Sequence, residues 1–374
     1  MQPTIPSRDV LNGILRGAAC SPFFAMERTK SMEQITWTIK HAIFCLAATG
    51  ILLSGVSSTF ATEVVTVDNF VRAETDMTFA RYVKQGAFGK FLHIRQPTPI
   101  DKQDVIRMNR DTLYSAGVFD LTVPITISKP DSAGRFQSMM VINQDHSMLP
   151  VEHGAGEFSF TREKVGTRFV IVIFRTFVDA NNPQDIKAAN AMQDKIAVRQ
   201  ANSGKFEIPD WDEPSLKKVR DAINVLAATR TSAKGMFGDK AKLNPISHLL
   251  GTAFGWGGNP EEAAMYDNGV PEKNDGKTLY RLTVKDVPVN GFWSITVYNK
   301  AGFMEKNDQN VYSYNNVTAK KNADGSITIN FGAGPDAVNN LPITPGWSYV
   351  VRMYQPKQEI VNGSWKFPKA QLAK

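Results

Sequence analysis

Six consecutive residues, Asn109 to Tyr114, place an amide, a guanidinium, a carboxylate, a hydroxyl and a phenol side by side. Arg110 offers a planar fork of donors and Asp111 accepts from hydroxyls. Such a run at the lip of a sheet can bind an anionic or polyhydroxyl ligand, with Asn109 and Tyr114 as further contacts. The plainer reading is that Arg110 and Asp111 tie a loop to the sheet through backbone hydrogen bonds. Asp145 and His146, with Glu152 and His153 nearby, form the chain's His/carboxylate grouping. His titrates near neutrality and a carboxylate can orient it, so Asp145 and His146 are the candidate catalytic pair for acid/base chemistry. A satisfied loop histidine is the competing account. No His-x-His or helical His-x-x-x-His occurs and no third ligand stands close, so no metal site is expected.

Arg168 and Arg175 bracket the apolar run Phe169 to Phe174. Side chains alternate along a strand, so this spacing puts the two on opposite faces, and without a bulge they cannot line one pocket. At least one is expected to pair with Asp111, Asp120, Asp145 or Asp179. Both remain candidate ligand contacts, and Arg352 raises the same question near the C-terminus. No Gly-x-Ser-x-Gly elbow is present, and Gly255-Trp256-Gly257-Gly258 lacks the flanking strand and helix of a dinucleotide loop. No cofactor is expected. Trp293 and Trp347 lie in strands and read as core rather than as a platform for sugars.

Elements that could position these groups follow from periodicity. Residues 64–100 begin helical, with Phe70, Ala73, Met77, Ala80 and Tyr82 at helical spacing. Thr122 to Ser128, Phe136 to Ile142 and Phe169 to Phe174 read as strands. Phe169 to Phe174 has no polar alternation, as in a strand buried on both faces, central to a sandwich or to a sheet covered by helices. Asn181-Asn182-Pro183 and Asp212-Glu213-Pro214 open helices, with stripes Ile186, Ala189, Met192, Ile196 and Leu216, Val219, Ile223, Leu226. A short helical turn is expected at Glu261 to Tyr266. Thr278 to Val284, Phe292 to Tyr298, Ser326 to Phe331 and Trp347 to Tyr354 are four further strands separated by turn signals such as Asn290-Gly291 and Asp324-Gly325. The fold class expected is mainly β with an α insert: two antiparallel β-sandwich or jelly-roll-like domains joined through a helical segment.

Both cysteines, Cys20 and Cys45, precede Ala61. Ala42 to Val56 is an uncharged, mostly apolar run after Lys40, and Thr59 and Ala61 suit a cleavage site, which together read as an export signal. An uncleaved anchor is the alternative, although the run is short for a spanning helix. The organisation expected is an over-called start over 1–25, a signal peptide over 26–61, an N-terminal sandwich over 62–180, a helical insert and connection over 181–265, and a C-terminal sandwich over 266–374. The product would be periplasmic or secreted, without disulfides and with no membrane association after cleavage. The formal net charge of +7 is spread out rather than clustered among aromatics, which excludes a nucleic-acid groove.

Two stretches carry a resemblance. Asn109 to Tyr114, Phe119-Asp120-Leu121, Asn143 to His146, Gly166-Thr167-Arg168 and Arg175 to Asp179 resemble domain of unknown function 1254. Phe292 to Tyr298, Asp324-Gly325-Ser326, Asn340-Leu341-Pro342 and Gly363 to Pro368 are similar to its C-terminal companion, domain of unknown function 1214. The resemblance covers about residues 65–370. It implies two β-sandwich domains with a helical insert, behind an export signal, and brings no established activity. His153 departs from the family's phrase. The function expected is binding, with or without hydrolysis or cleavage, of a small polar or glycan-like ligand in the first domain or between the domains. A non-catalytic envelope-associated module using C-terminal aromatics is the alternative.

Overall fold

The computed structural model describes residues 62–103, 106–230 and 232–373. The expected signal peptide and alternative start lie outside these residues. The first element, α1 (Phe70–Lys84), buries Phe70, Ala73 and Phe79. Four antiparallel strands then form the main N-terminal sheet: β1 (Leu92–His93), β2 (Thr112–Asp120), β4 (Gln137–Asn143) and β6 (Phe169–Phe177), in the order β1-β2-β6-β4. A smaller sheet is made by β3 (Ile125–Lys129), β5 (Gly156–Phe160) and β7 (Ala197–Arg199), in the order β5-β3-β7. A short helix α2 (Arg162–Val165) leads into β6.

The strand β6, apolar from Phe169 to Phe174, is buried along its whole length because the sheet is covered twice. Val170, Val172 and Phe174 meet Ile125 and Ile127 of β3 and Phe160 of β5 in one core. On the other face, Ile171 and Ile173 pack with Phe79 of α1, Phe237 and Trp256. Both settings that suit such a strand, a second sheet and a helical layer, are therefore occupied.

The helices form where the cap residues suggest. Asn182 accepts from the N–H groups of Gln184 and Asp185 at the start of α3 (Pro183–Gln193), and Asp212 accepts from that of Ser215 at the start of α4 (Glu213–Ala227). Both helices carry Pro in the first turn, where an N–H would have no partner. The stripe on α4 is turned from the one expected: Leu216, Ile223 and Ala227 are buried, whereas Leu226 is 60% exposed. The helix α5 (Pro245–Gly255) packs against α4 and α1. Two further differences concern this stretch. The strand β7 lies within the span expected to be helical and pairs with β3, and the expected turn at Glu261 to Tyr266 runs into β8 (Ala264–Gly269).

The C-terminal part contains two four-stranded sheets. One has the order β11-β10-β14-β8, with β10 (Trp293–Tyr298), β11 (Ser313–Asn315) and β14 (Ser348–Tyr354). The other has the order β13-β12-β9-β15, with β9 (Tyr280–Val284), β12 (Ile327–Phe331), β13 (Asn340–Leu341) and β15 (Gln371–Leu372). Alternate residues of each, including Leu282, Ile295, Ile329 and Val351, close on a single core around the fully buried Trp347. A last short helix, α6 (Gln358–Val361), adds Ile360 to it. β12 and β13 run parallel, so this sheet is not wholly antiparallel. Among the described residues no sheet closes on itself into a jelly-roll barrel. The fold is mixed α/β, with distinct N- and C-terminal β-sheet domains joined by helices.

Candidate functional site

The polar run at 109–114 lies where the N-terminal domain crosses the outer face of the β10/β14 sheet. Ser294, Thr296 and Tyr298 of β10 and Arg352 and Tyr354 of β14 alternate away from the core. Arg352 donates to Thr296 Oγ1 (3.1 Å), to Tyr298 Oη (2.8 Å) and to the Arg107 carbonyl (2.8 Å). Tyr298 donates in turn to the Met108 carbonyl at 2.8 Å. These bonds clamp the backbone just before the run. Asn109 then donates to Tyr354 Oη at 2.7 Å and accepts from the Asp111 N–H at 2.7 Å.

Arg110 and Asp111 come together at a pocket of about 160 Å³ between the domains, lined also by Asp179, Asn181, Ser313 and Asn315. The Arg110 guanidinium lies 5.3 Å from the Tyr312 ring centre and donates to the Thr98 carbonyl. Among the described residues no carboxylate stands within ion-pair distance of it. Asp111 is buried; its Oδ1 accepts weakly from Ser313 Oγ and Asn315 Nδ2, both at 3.4 Å. Among the described residues its Oδ2 and Ser294 Oγ have no hydrogen-bond partner. Burial pushes the Asp111 carboxyl up, against the opposing pull of the Arg352 charge and of the Asn315 and Ser313 hydrogen bonds.

His146 is placed differently from a catalytic base. It is completely buried in a left-handed backbone conformation (φ 57°). Its Nε2 accepts from the Gly257 N–H at 2.9 Å, so the proton resides on Nδ1 and is donated to Thr252 Oγ1 at 2.8 Å. The Thr252 hydroxyl passes on to the His248 carbonyl at 2.9 Å. The ring is stacked between those of His248 and Trp256, at 5.3 and 5.2 Å. Burial, and then His248, push its pKa well below the usual value. Neither nitrogen is left for a substrate. Asp145 pairs with Arg72 instead, and its carbonyl receives His248 Nε2 at 3.0 Å. The expected Asp145–His146 dyad is therefore corrected to a packing hub joining the β4 turn to α5.

Arg168, just before β6, and Arg175, within it, are not brought together. Arg168 grips Asp120 through Nη2 (2.8 Å) and Nε (3.2 Å to each oxygen). Burial would raise the Asp120 carboxyl, but Arg168 and the Thr122 N–H override it and hold it low. Arg175 has no acid partner among the described residues; it donates to the Gly257 carbonyl at 2.7 Å and stands 5.6 Å from the ring of Tyr114, its cross-strand neighbour. Tyr114 and Arg175 thus form a pair beneath the helical layer, apart from the Arg110–Asp111 pocket. Among the described residues no group of three or more His, Cys, Asp or Glu could hold a metal ion.

Periodicity could not reveal the rest of the pocket. Ser313 and Asn315 lie 202 and 204 residues from Asp111, on a three-residue edge strand with no pattern of its own. A second hollow of about 710 Å³ also opens between the domains, between the turn Ser132–Gln137 and Asn290–Phe292, with His153 on its wall.

Residues 88–200 match the family described as Protein of unknown function (DUF1254), and residues 263–358 match Protein of unknown function (DUF1214). No curated protein matches the chain. Among solved structures, the VPA0106 protein from Vibrio parahaemolyticus is similar at 19% identity with a TM-score of 0.61, over 82% of this chain and 100% of that one. An uncharacterized protein from Burkholderia cenocepacia matches at 13% identity with a TM-score of 0.45, over 82% and 87%. At such identity the first likeness is one of fold alone. With both domains matched in order, the chain belongs to the two-domain family that joins an N-terminal DUF1254 domain to a C-terminal DUF1214 domain.

Proposed function

We propose that this is an exported, periplasmic or secreted protein that binds a small hydroxylated anion, of the sugar-acid class, in the pocket between its β-sheet domains. The observation that carries this reading is Arg110: a nearly buried guanidinium on the wall of a 160 Å³ pocket, 9% exposed and without a carboxylate partner among the described residues. A ligand carboxylate would complete its fork, and Ser313, Asn315 and Asn181 supply hydroxyl and amide partners for the rest of a small polyol. Any proton transfer within the pocket would fall to Asp111, whose burial favours the protonated form. The cysteine-free stretch after Ala61 suits life outside the cytosol, and no helix among the described residues is long and apolar enough to cross a membrane.

The alternative, an interaction module presenting C-terminal aromatics, draws little support from them. Trp293 and Trp347 are core residues, and Trp365 packs edge-on against Phe367 at 5.8 Å. Calorimetric titration with galacturonate and gluconate tests the proposal, alongside mass spectrometry of small molecules retained on native purification. Arg110→Ala should weaken binding 10- to 100-fold, as loss of a charge-assisted pair worth about 1.5–3 kcal/mol implies. Equal binding by wild type and Arg110→Ala, or no binding of either acid, would refute it.

A further inference from the structure

The larger hollow on the domain seam has a different chemistry from the Arg110 pocket. Its volume of about 710 Å³ lies in the range of ligand sites, and both domains wall it. The charges on its wall are cancelled: Arg135 holds both oxygens of Asp185, at 3.0 and 2.6 Å. The His153 imidazole is kept neutral, its pKa pushed down to about 4 by burial and then by Lys129. Polar capacity nevertheless goes unused there. Gln137 is 2% exposed and donates to Thr176 Oγ1 at 3.0 Å, but among the described residues its Oε1 has no partner, and neither does His153 Nδ1. Buried polar atoms without partners are costly, and native folds keep few of them.

The remaining wall is aromatic. Phe136 stands 5.6 Å from His153, 5.2 Å from Phe292 and 5.3 Å from Tyr354, and is itself only partly buried. The backbone is shaped to the groove at a cost. Ala133 (φ 49°) and Gln355 (φ 50°), both on its rim, adopt the left-handed conformation that side chains disfavour. At Gly291 a Cβ would meet the Tyr354 carbonyl oxygen at 2.8 Å and Phe136 at 3.1 Å, so only glycine allows this approach.

We propose that this groove is a second ligand site, which takes a segment of an uncharged oligosaccharide, with one sugar ring laid against Phe136 and its hydroxyls meeting Gln137 and His153. A sugar hydroxyl both donates and accepts, so it can serve the Gln137 amide and a neutral imidazole alike. The C–H face of a pyranose covers an aromatic ring without needing charge, and the charged residues that line the groove, Arg135 and Asp185, are already paired; the buried Lys129 amine, which has no partner among the described residues, is not in the lining. The site is independent of the Arg110 pocket.

The test titrates the exported protein with cellotetraose, maltotetraose and chitotetraose by calorimetry. At least one should bind, and saturating galacturonate should not displace it. His153→Phe keeps the ring but removes Nδ1, and should weaken binding about tenfold with an unchanged melting temperature. Phe136→Ala should weaken it further, and Phe136→Tyr, which keeps the ring, guards against a folding defect. The proposal is overturned if none of the three binds at 10 mM, if only acidic oligosaccharides bind, or if His153→Phe and Phe136→Ala bind as wild type does.

Discussion

Acidification should destabilise this protein through two histidines, and a substitution can isolate the effect of one. His146 and His153 are both held neutral by the fold, His146 well below its ordinary pKa and His153 at about 4. In the unfolded chain each titrates near 6.5. As pH falls through 6.5 the unfolded state takes up protons that the native state refuses, so stability present at pH 7 is lost until the folded pKa is reached. Between pH 7 and pH 5 linkage gives about 2 kcal/mol for His153, whose folded pKa is about 4. Asp76 and Asp111 work in the opposite direction, because burial raises both carboxyls and the native state protonates first. A comparison of variants cancels their contribution. Urea unfolding followed by tryptophan fluorescence should show His153→Gln losing about 2 kcal/mol less than wild type between the two pH values. Its stability at pH 7 can differ in either sign without affecting that difference. Equal losses for wild type and His153→Gln would mean that His153 titrates normally in the folded protein, and the claim that its groove is uncharged would fail with it.

Asp120→Ala removes a fully buried carboxylate from a guanidinium that is one-third exposed, and should cost roughly 2–3 kcal/mol in urea unfolding, less than a wholly buried pair because water can reach Arg168. Tyr354→Phe deletes the hydroxyl that accepts from Asn109 across the domain seam, at 2.7 Å, and should cost about 1–2 kcal/mol by calorimetry.

Local signals were legible where a few neighbouring residues decide the outcome. The unbroken apolar run at Phe169 to Phe174 marked a strand covered on both faces, and β6 is buried throughout. Asn182 and Asp212 marked helix starts, and both cap through their side chains. Leu226 fits the stripe by spacing yet faces outward, because which face of α4 is covered depends on where α5 and α1 lie. His146 was the clearest misplacement. Next to a carboxylate it looked like a catalyst, but its partners are Thr252 and Gly257, more than a hundred residues away.

Period-two and helical spacing, cap residues and turn residues were enough to mark two β-sheet domains with helices between them, while the family came from the resemblance of ordered runs such as Asn109 to Tyr114 and Phe292 to Tyr298. The spacings, caps and turns rest on geometry that repeats within a few residues of one chain. Which polar groups share a hollow was decided only by tertiary structure. Asn109 reaches Tyr354 across 245 residues of sequence, and Arg110 and Asp111 meet Ser313 and Asn315 only because the second sheet turns its polar face toward the first domain. Contacts at that separation are set by how sheets pack, and no local pattern encodes them.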